Sequence, residues 1–283
     1  MKKVLNFLVR NPFFVVSAVI YYIVTALWLD NFVIASAIYL GSMIVVFSPI
    51  GEKIFRLMNR IRKLETIKEK MQVYYPFQSV LIHAIGKDIS IKSNIEAGII
   101  DDMSINACAV GRRTVAVTKG AIEAFTDDEL RGIMAHELGH IVNGDTIVSM
   151  YSYIGNGLFS IAVVLIKLII MVIDIVQYAF TENALASIVI RFTHFIFGLS
   201  MNAFMFLTNI AMSFQSRKSE YRADKYAYDI GFGEELLNAL KLLEKISVGD
   251  NSSLTEKMIA SHPRITKRIQ RLEKLIENEK NYN

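Results

Sequence analysis

The sequence has almost no cysteine, little net charge and no motif for nucleic-acid binding. Cys108 is the only cysteine among the 283 residues, which excludes an internal disulfide and a zinc cluster held by several thiolates. The formal net charge is +4, and no DNA- or RNA-binding motif is present. We therefore expect neither a disulfide scaffold nor a nucleic-acid partner.

Apolar residues, in contrast, are abundant. They make up 53% of the chain, and the mean hydropathy of +0.36 is high for a soluble protein of this size. Four apolar runs account for this value. The first two are each about as long as a helix that crosses the hydrocarbon core of a bilayer, and the other two are longer and contain Lys167, Asp174, Arg191 and His194. The four runs cover residues 13–29, 32–50, 153–180 and 184–214. The sequence thus predicts four transmembrane helices.

Basic residues are concentrated on one side of these runs. Lys and Arg precede the first run and follow the second and fourth, whereas the two hairpin tips carry none. By the positive-inside rule, this places both termini and residues 51–150 on the cytoplasmic side of a cell membrane. The predicted organisation is a transmembrane hairpin (1–50), a first cytoplasmic segment (51–150), a second hairpin (151–214) and a second cytoplasmic segment (215–283).

Two further segments show helical periodicity. Apolar residues recur every three or four positions over residues 53–75, with basic residues between them, which predicts one amphipathic helix along the membrane surface. Residues 267–280 are typical of a solvated amphipathic helix end.

A third helix carries clear start and stop signals. Thr126, followed by Glu129 three residues later, predicts a capping box at its beginning, and Asn143-Gly144 predicts its end. We interpret Asp145, the next residue, as a turn residue rather than a support for a metal ligand. The run HELGH at 136–140 therefore falls well inside this helix.

The polar residues of HELGH suit a zinc site. On a helix, His136, Glu137 and His140 point toward one side. Two imidazoles at this spacing can bind one Zn²⁺, while the intervening carboxylate reaches a zinc-bound water rather than the metal. Zinc lowers the pKa of that water toward about 7, and Glu137 can accept its proton during attack on a peptide carbonyl. Because the motif also arises by chance, a third ligand is needed.

Residues 213–231 supply a candidate for this ligand. Glu220 and Asp224 lie four positions apart on a predicted helix that ends near Gly231. Glu220 can complete a zinc site of two histidines and one glutamate, and Asp224 can accept the free ring N–H of a ligand histidine. The alternative interpretation is an exposed, charge-rich helix face.

Four motifs, in this order, give the chain a family resemblance. They are INACAVGRRTVAVTKG at 105–120, HELGH followed by IVNGD, SRKSEYRAD at 216–224 and SHPRITKRI at 261–269. The chain resembles the HtpX family of membrane-bound zinc endopeptidases, relatives of the CAAX prenyl proteases and other gluzincins. The resemblance implies one Zn²⁺ held by His136, His140 and Glu220, with Glu137 as general base and Asp224 supporting a ligand.

The resemblance also implies a fold and a role. The expected fold is a mainly α membrane protein with four transmembrane helices and a small α+β zincin-like cytoplasmic catalytic domain. The expected role is cleavage of membrane or misfolded proteins at the cytoplasmic face, as quality control. Its partners are then membrane or unfolded protein substrates and the lipid bilayer. The sequence allows a homo-oligomer without indicating one.

A predicted hairpin is the candidate substrate-binding element. Residues 113–118 are β-prone and can pair with 103–108 beside the active helix, where an edge strand can align an extended substrate through main-chain hydrogen bonds. Asn106, on the resemblance, and Ala107 are then substrate-binding residues. Asn106 as a strand-end turn residue is the alternative. We interpret Cys108 as a small buried residue rather than a nucleophile.

His262 is the second catalytic candidate. It precedes Pro263 and should enter a helix in extended backbone. Its imidazole can then donate to the oxyanion that develops on the scissile carbonyl. A surface histidine that caps the helix is the alternative.

Two other functions fit part of the sequence. A CAAX-type prenyl-protein processing protease would be expected to enclose a chamber with more than four spans. A non-catalytic zinc-binding membrane scaffold, or a zinc transporter, would not need the complete set of His136, Glu137, His140 and Glu220. The zinc endopeptidase is therefore the preferred hypothesis.

Overall fold

The computed structural model describes residues 32–87, 94–151, 217–248 and 264–282, together with isolated positions that include His262. The chain forms two compact units. The first consists of Met1–Ile44 and Tyr151–Gln215, and the second of Val45–Met150 and Ser216–Asn283. Every candidate site residue belongs to the second unit.

Most of the predicted apolar spans, over 13–29, 153–180 and 184–214, lie outside the described residues. The run 32–50 is interrupted, because helix α1 (Phe32–Phe47) ends just before Ser48, which caps the next helix. Within the described ranges, no helix is both long and apolar enough to cross a membrane.

The second unit combines helices with one small sheet, as predicted. Its helices are α2 (Pro49–Met58), α3 (Ile67–Glu69), a π-helical turn (Lys70–Tyr74), α4 (Tyr75–Lys87), α5 (Lys119–Ala124), α6 (Asp127–Asn143), α7 (Asp145–Met150), α8 (217–229), α9 (Gly233–Val248) and α10 (Ile265–Tyr282). Its strands are β1 (Ile61–Arg62), β2 (Glu96–Ile100), β3 (Ala107–Val110) and β4 (Thr114–Thr118). They lie in the order β1-β2-β4-β3.

β3 lies at one edge of the sheet and forms the predicted hairpin with β4. The two strands are antiparallel, with Ala107 opposite Val117 and Val110 opposite Thr114. Gly111 makes the turn between them with φ +61°, a conformation that a residue without a Cβ adopts at little cost. On its other side β4 pairs with β2 in parallel, so the open edge belongs to β3.

The single helix predicted over 53–75 is wrong. Helix α2 ends at Met58, Arg60 has a left-handed backbone with φ +54°, and Ile61–Arg62 pairs with residues 99–100 of β2. Arg62 also binds Glu69 and Asp101 in ion pairs of 2.6 Å. A helical spacing of apolar residues does not reveal a strand partner that lies about forty positions away in the chain.

Helix α6, which carries HELGH, begins and ends as predicted. The Thr126 side chain accepts from the Glu129 backbone N–H, and the Glu129 side chain accepts from Thr126 N–H, which confirms the capping box. Gly144 ends the helix in a left-handed conformation, with φ +79°.

The core of the unit surrounds α6. Its fully buried apolar side chains come from α4, α6, α9 and α10 and include Phe77, Leu130, Leu138, Leu240 and Leu272. Burying a side chain of this size stabilises the folded state by about 1.5–3 kcal/mol. The helix that carries the candidate ligands is therefore packed on several sides and its position is well defined.

Candidate metal centre

The site forms where α6 and α8 come unusually close. A Cβ at Gly139 would lie 2.9 Å from Ala223 Cα, so only glycine leaves room for the two backbones at this point. The contact brings Glu220, one turn before Ala223, next to His136 and His140 on α6. All three side chains are buried.

The three predicted zinc ligands converge on a common point. His136 Nε2 and His140 Nε2 are 3.1 Å apart, and each lies 3.5 Å from an oxygen of Glu220. A tetrahedral zinc ion with bonds of about 2.0–2.2 Å separates its ligand atoms by about 3.3–3.6 Å. The donor atoms therefore fit one zinc ion, to which both histidines would offer Nε2.

His262, which the sequence predicts as a catalytic donor and not as a ligand, joins this group. Its Nδ1 lies 3.1 Å from Glu220 Oε2 and 3.4 Å from His136 Nε2. Together with His140, these residues offer donor atoms that all lie within 4.8 Å of one another. On its other ring nitrogen, His262 Nε2 is 3.4 Å from Glu137 Oε1. The histidine thus lies between the ligand carboxylate and the candidate base, not at the surface.

Carboxylates hold the rings of the two HELGH histidines. Asp224 Oδ1 is 2.9 Å from His136 Nδ1, and Asp145 Oδ2 is 3.2 Å from His140 Nδ1. An ionised carboxylate only accepts hydrogen bonds, so each Nδ1 carries the proton and each Nε2 presents its lone pair. The interpretation of Asp145 as no more than a turn residue is wrong, because its side chain also orients a ligand.

Arg268 is the main residue that the sequence did not reveal. The prediction of a solvated helix over 267–280 is wrong at this position, since Arg268 is only 1% exposed. Its guanidinium binds Asp224 at 2.6 Å and Glu220 at 3.0 Å. A lone arginine in a charged helix is ordinarily solvated, so its burial follows only from the folded position of the two carboxylates.

Positive charges offset the cost of burying the two carboxylates of the site, Asp224 and Glu220. Burial raises the pKa of Asp224, but the Arg268 charge and the hydrogen bond to His136 outweigh it and lower that pKa to about 2. Burial likewise opposes ionisation of Glu220, yet the charges of His262 and Arg268 hold its pKa well below the ordinary value. Both carboxylates are therefore ionised at neutral pH, as binding of a divalent cation requires.

The candidate substrate residues lie on and beside the edge strand. Asn106 O accepts from Thr118 N at 3.0 Å, and Asn106 N donates to Thr118 Oγ1 at 3.0 Å. This register turns the main-chain N–H and C=O of Ala107 and Ala109 away from β4. The Ala107 side chain is buried, so only its backbone can meet a substrate.

Cys108 does not have the properties of a nucleophile. Burial, with a smaller contribution from the charge of Glu137, raises the pKa of its thiol to about 12. The reactive thiolate is therefore negligible at neutral pH. Cys108 is half-buried rather than fully buried as predicted.

This arrangement is typical of zinc metallopeptidases of the His-Glu-x-x-His class. One helix presents two imidazoles one turn apart, a second helix adds a carboxylate, and an unsatisfied glutamate lies beside them. The comparison with protein families agrees with this assignment. The sequence model of peptidase family M48 matches residues 78–276, which is more than half of the chain. The chain belongs to peptidase family M48 and, within it, to the HtpX group of zinc-dependent proteases.

Individual relatives are similar over about two thirds of the chain. The protease HtpX homologue of Bacillus subtilis (strain 168) is 27% identical over 209 residues, which is 68% of this chain and 67% of the relative. The HtpX homologue of Methylacidiphilum infernorum is 28% identical over 214 residues, or 66% and 69%. The protease HtpX of Alcanivorax borkumensis is 28% identical over 212 residues, or 66% and 68%.

Replacing Asp224 should weaken zinc binding more than it weakens the fold. Asp224→Asn removes the charge that accepts from His136 and balances Arg268, so we expect zinc affinity to fall by about 10- to 100-fold. Titration with a competing chelator measures this change. Asp229→Asn, on the exposed side of α8 where it pairs with Lys225, is the matched control and should keep wild-type affinity. Equal affinities in the two variants would contradict the orienting role.

Proposed function

We propose that this zinc protease is an endopeptidase that cleaves membrane or misfolded proteins at the cytoplasmic face of the cell membrane, as quality control. The observation that carries the catalytic part is the state of Glu137. Its Oε1 atom is buried and accepts no hydrogen bond from the described part of the chain. Leaving a buried carboxylate oxygen without a hydrogen bond costs free energy. Because Glu137 lies beside the three convergent ligand atoms, it is suited to accept a proton from a water molecule bound there.

His136, His140 and Glu220 would hold the zinc ion, which would polarise the scissile carbonyl and acidify the attacking water. Glu137 accepts the proton of that water and can pass it to the leaving amine. Asp224 and Asp145 keep the two histidines in the Nε2-presenting tautomer throughout.

His262 is suited to stabilise the oxyanion. Burial lowers its pKa, but the charges of Glu220 and Glu137 outweigh this effect and raise the pKa above the ordinary value. A protonated imidazole in a buried site is a strong donor toward developing negative charge. In this proposal His262 is a catalytic donor rather than a fourth permanent ligand.

The edge strand β3 aligns the substrate. Because the main chain of Ala107 and Ala109 faces away from β4, an extended peptide can add to the sheet through backbone hydrogen bonds. Such pairing is indifferent to most side chains, which suits a protease that acts on unfolded segments. Asn106, the residue before β3, lies at the end of this edge.

The membrane location is supported by the four apolar runs with basic residues on one side. It is supported as well by α2, which exposes Ile54, Leu57 and Met58 beside the exposed Lys53. Apolar and basic residues on one short helix are typical of a membrane surface. We therefore propose four transmembrane spans, with both catalytic segments (51–150 and 215–283) on the cytoplasmic side.

Glu137→Gln should abolish cleavage and leave zinc in place. The amide cannot accept the water proton, so we expect cleavage of unfolded casein to fall by about 10²- to 10⁴-fold, with one zinc per chain by metal analysis. Glu277→Gln, an exposed change on α10, should be fully active. Retained activity in Glu137→Gln would remove the assigned base. Preferential cleavage of a prenylated peptide by the wild type would favour the CAAX-type alternative.

His262→Ala separates an oxyanion donor from a metal ligand. If His262 stabilises the oxyanion, kcat falls by about 10²- to 10³-fold while zinc affinity stays close to that of the wild type. The matched control is His83→Ala, on the exposed side of α4, which should change neither quantity. A loss of zinc as large as that of His140→Ala would show instead that His262 is a ligand.

The orientation in the membrane can be tested with one engineered thiol. Val248 is 85% exposed in the catalytic unit, and Cys108→Ser removes the only native cysteine. In the double variant Cys108→Ser/Val248→Cys, an impermeant maleimide should label inside-out vesicles and spare right-side-out ones. The reverse pattern would contradict the cytoplasmic assignment.

A further inference from the structure

The turn between β3 and β4 is held by side chains from two different helices. Glu52 of α2 accepts from Arg112 N at 3.4 Å and from Thr114 Oγ1 at 3.3 Å. From α7, Thr146 Oγ1 donates to Gly111 O at 2.5 Å. A hairpin turn at a sheet edge is ordinarily solvated and mobile. Hydrogen bonds to side chains of both α2 and α7 are therefore unusual for such a turn.

Gly111 shows how tightly the Glu52 carboxylate is seated. A Cβ at this position would lie 2.5 Å from Glu52 Cδ, so the carboxyl group rests directly against the glycine backbone. Thr114, which shares the carboxylate, is fully buried. The position of the turn and the position of Glu52 therefore depend on each other.

The same turn is linked both to the edge strand and to the residue next to Asp145, which supports a zinc ligand. It follows Val110, the last residue of β3, whose side chain is buried. On the other side, Thr146 follows Asp145, which holds the ring of His140. A displacement of the turn would thus change the distance between the edge of β3 and the ligand set.

We propose that Glu52 is a positioning residue for substrate alignment. It touches none of the reacting groups and acts by fixing the Gly111 turn, and through it the position of β3 relative to the zinc ligands. This inference rests on the proposed function in one respect, namely that β3 pairs with an extended substrate. It predicts that Glu52 matters for long substrates and not for the chemical step.

The test compares two quenched fluorescent peptides with the same scissile bond. One has about eight residues and can pair along the strand, whereas the other has about four and cannot. With the zinc-loaded full-length chain, Glu52→Ala should raise KM for the long peptide about tenfold and leave kcat within about twofold. The short peptide and the zinc content should be unaffected.

Two further variants serve as controls. Glu52→Gln should restore most long-peptide activity, because its amide can still accept from Arg112 N–H and share a hydrogen bond with Thr114. Lys68→Ala, an exposed change on α3, should behave as the wild type. A merely structural role for Glu52 would lower the activity on both peptides together.

The outcomes distinguish this inference from the function on which it rests. If the wild type prefers the long peptide and Glu52→Ala keeps that preference, or loses activity equally on both peptides, the role of Glu52 is refuted. If the wild type cleaves both peptides equally well, alignment by β3 is refuted, and the role of Glu52 with it. Neither result affects the assignment of Glu137, which its own variant tests.

Discussion

The close approach of α6 and α8 at Gly139 and Ala223 is the constraint on which the site depends. The histidines lie on one helix and the carboxylate ligand on another, separated by eighty positions between His140 and Glu220. Only a contact without an intervening side chain brings their donor atoms to within 3.1–3.5 Å of one another, close to the separations that one zinc ion needs. The buried core around α6 then keeps that geometry.

Bringing these groups together places several negative charges close to one another, and the positive charge of Arg268 offsets their repulsion. Glu137, Glu220 and Asp224 are all buried close to one another, and isolated buried carboxylates are strongly unfavourable. Arg268 binds two of them directly, and of the three only Glu137 has a buried oxygen that accepts no hydrogen bond from the described residues. The two carboxylates that Arg268 binds thus have a structural role, whereas Glu137, which it does not bind, is suited to accept a proton.

The sequence predicted the site better than its surroundings. The capping box at Thr126 and the spacing within HELGH are local features, and local rules were sufficient to place these residues on one helix face. Glu220 became a candidate ligand only beside HELGH, and the family motif supported it, because nothing local distinguishes a ligand from an exposed acid. Arg268, Asp145 and the strand pairing of Ile61–Arg62 were missed, because each depends on a partner distant in the chain or on burial that the pattern does not show.

Zinc K-edge X-ray absorption of the full-length protein tests the central claim most directly. The account predicts one zinc per chain with only nitrogen and oxygen neighbours at about 2.0–2.2 Å, and with the outer-shell scattering of at least two imidazoles. A sulfur neighbour at about 2.3 Å, a single imidazole, or a protein that retains no zinc would contradict the convergence of His136, His140 and Glu220 on one ion.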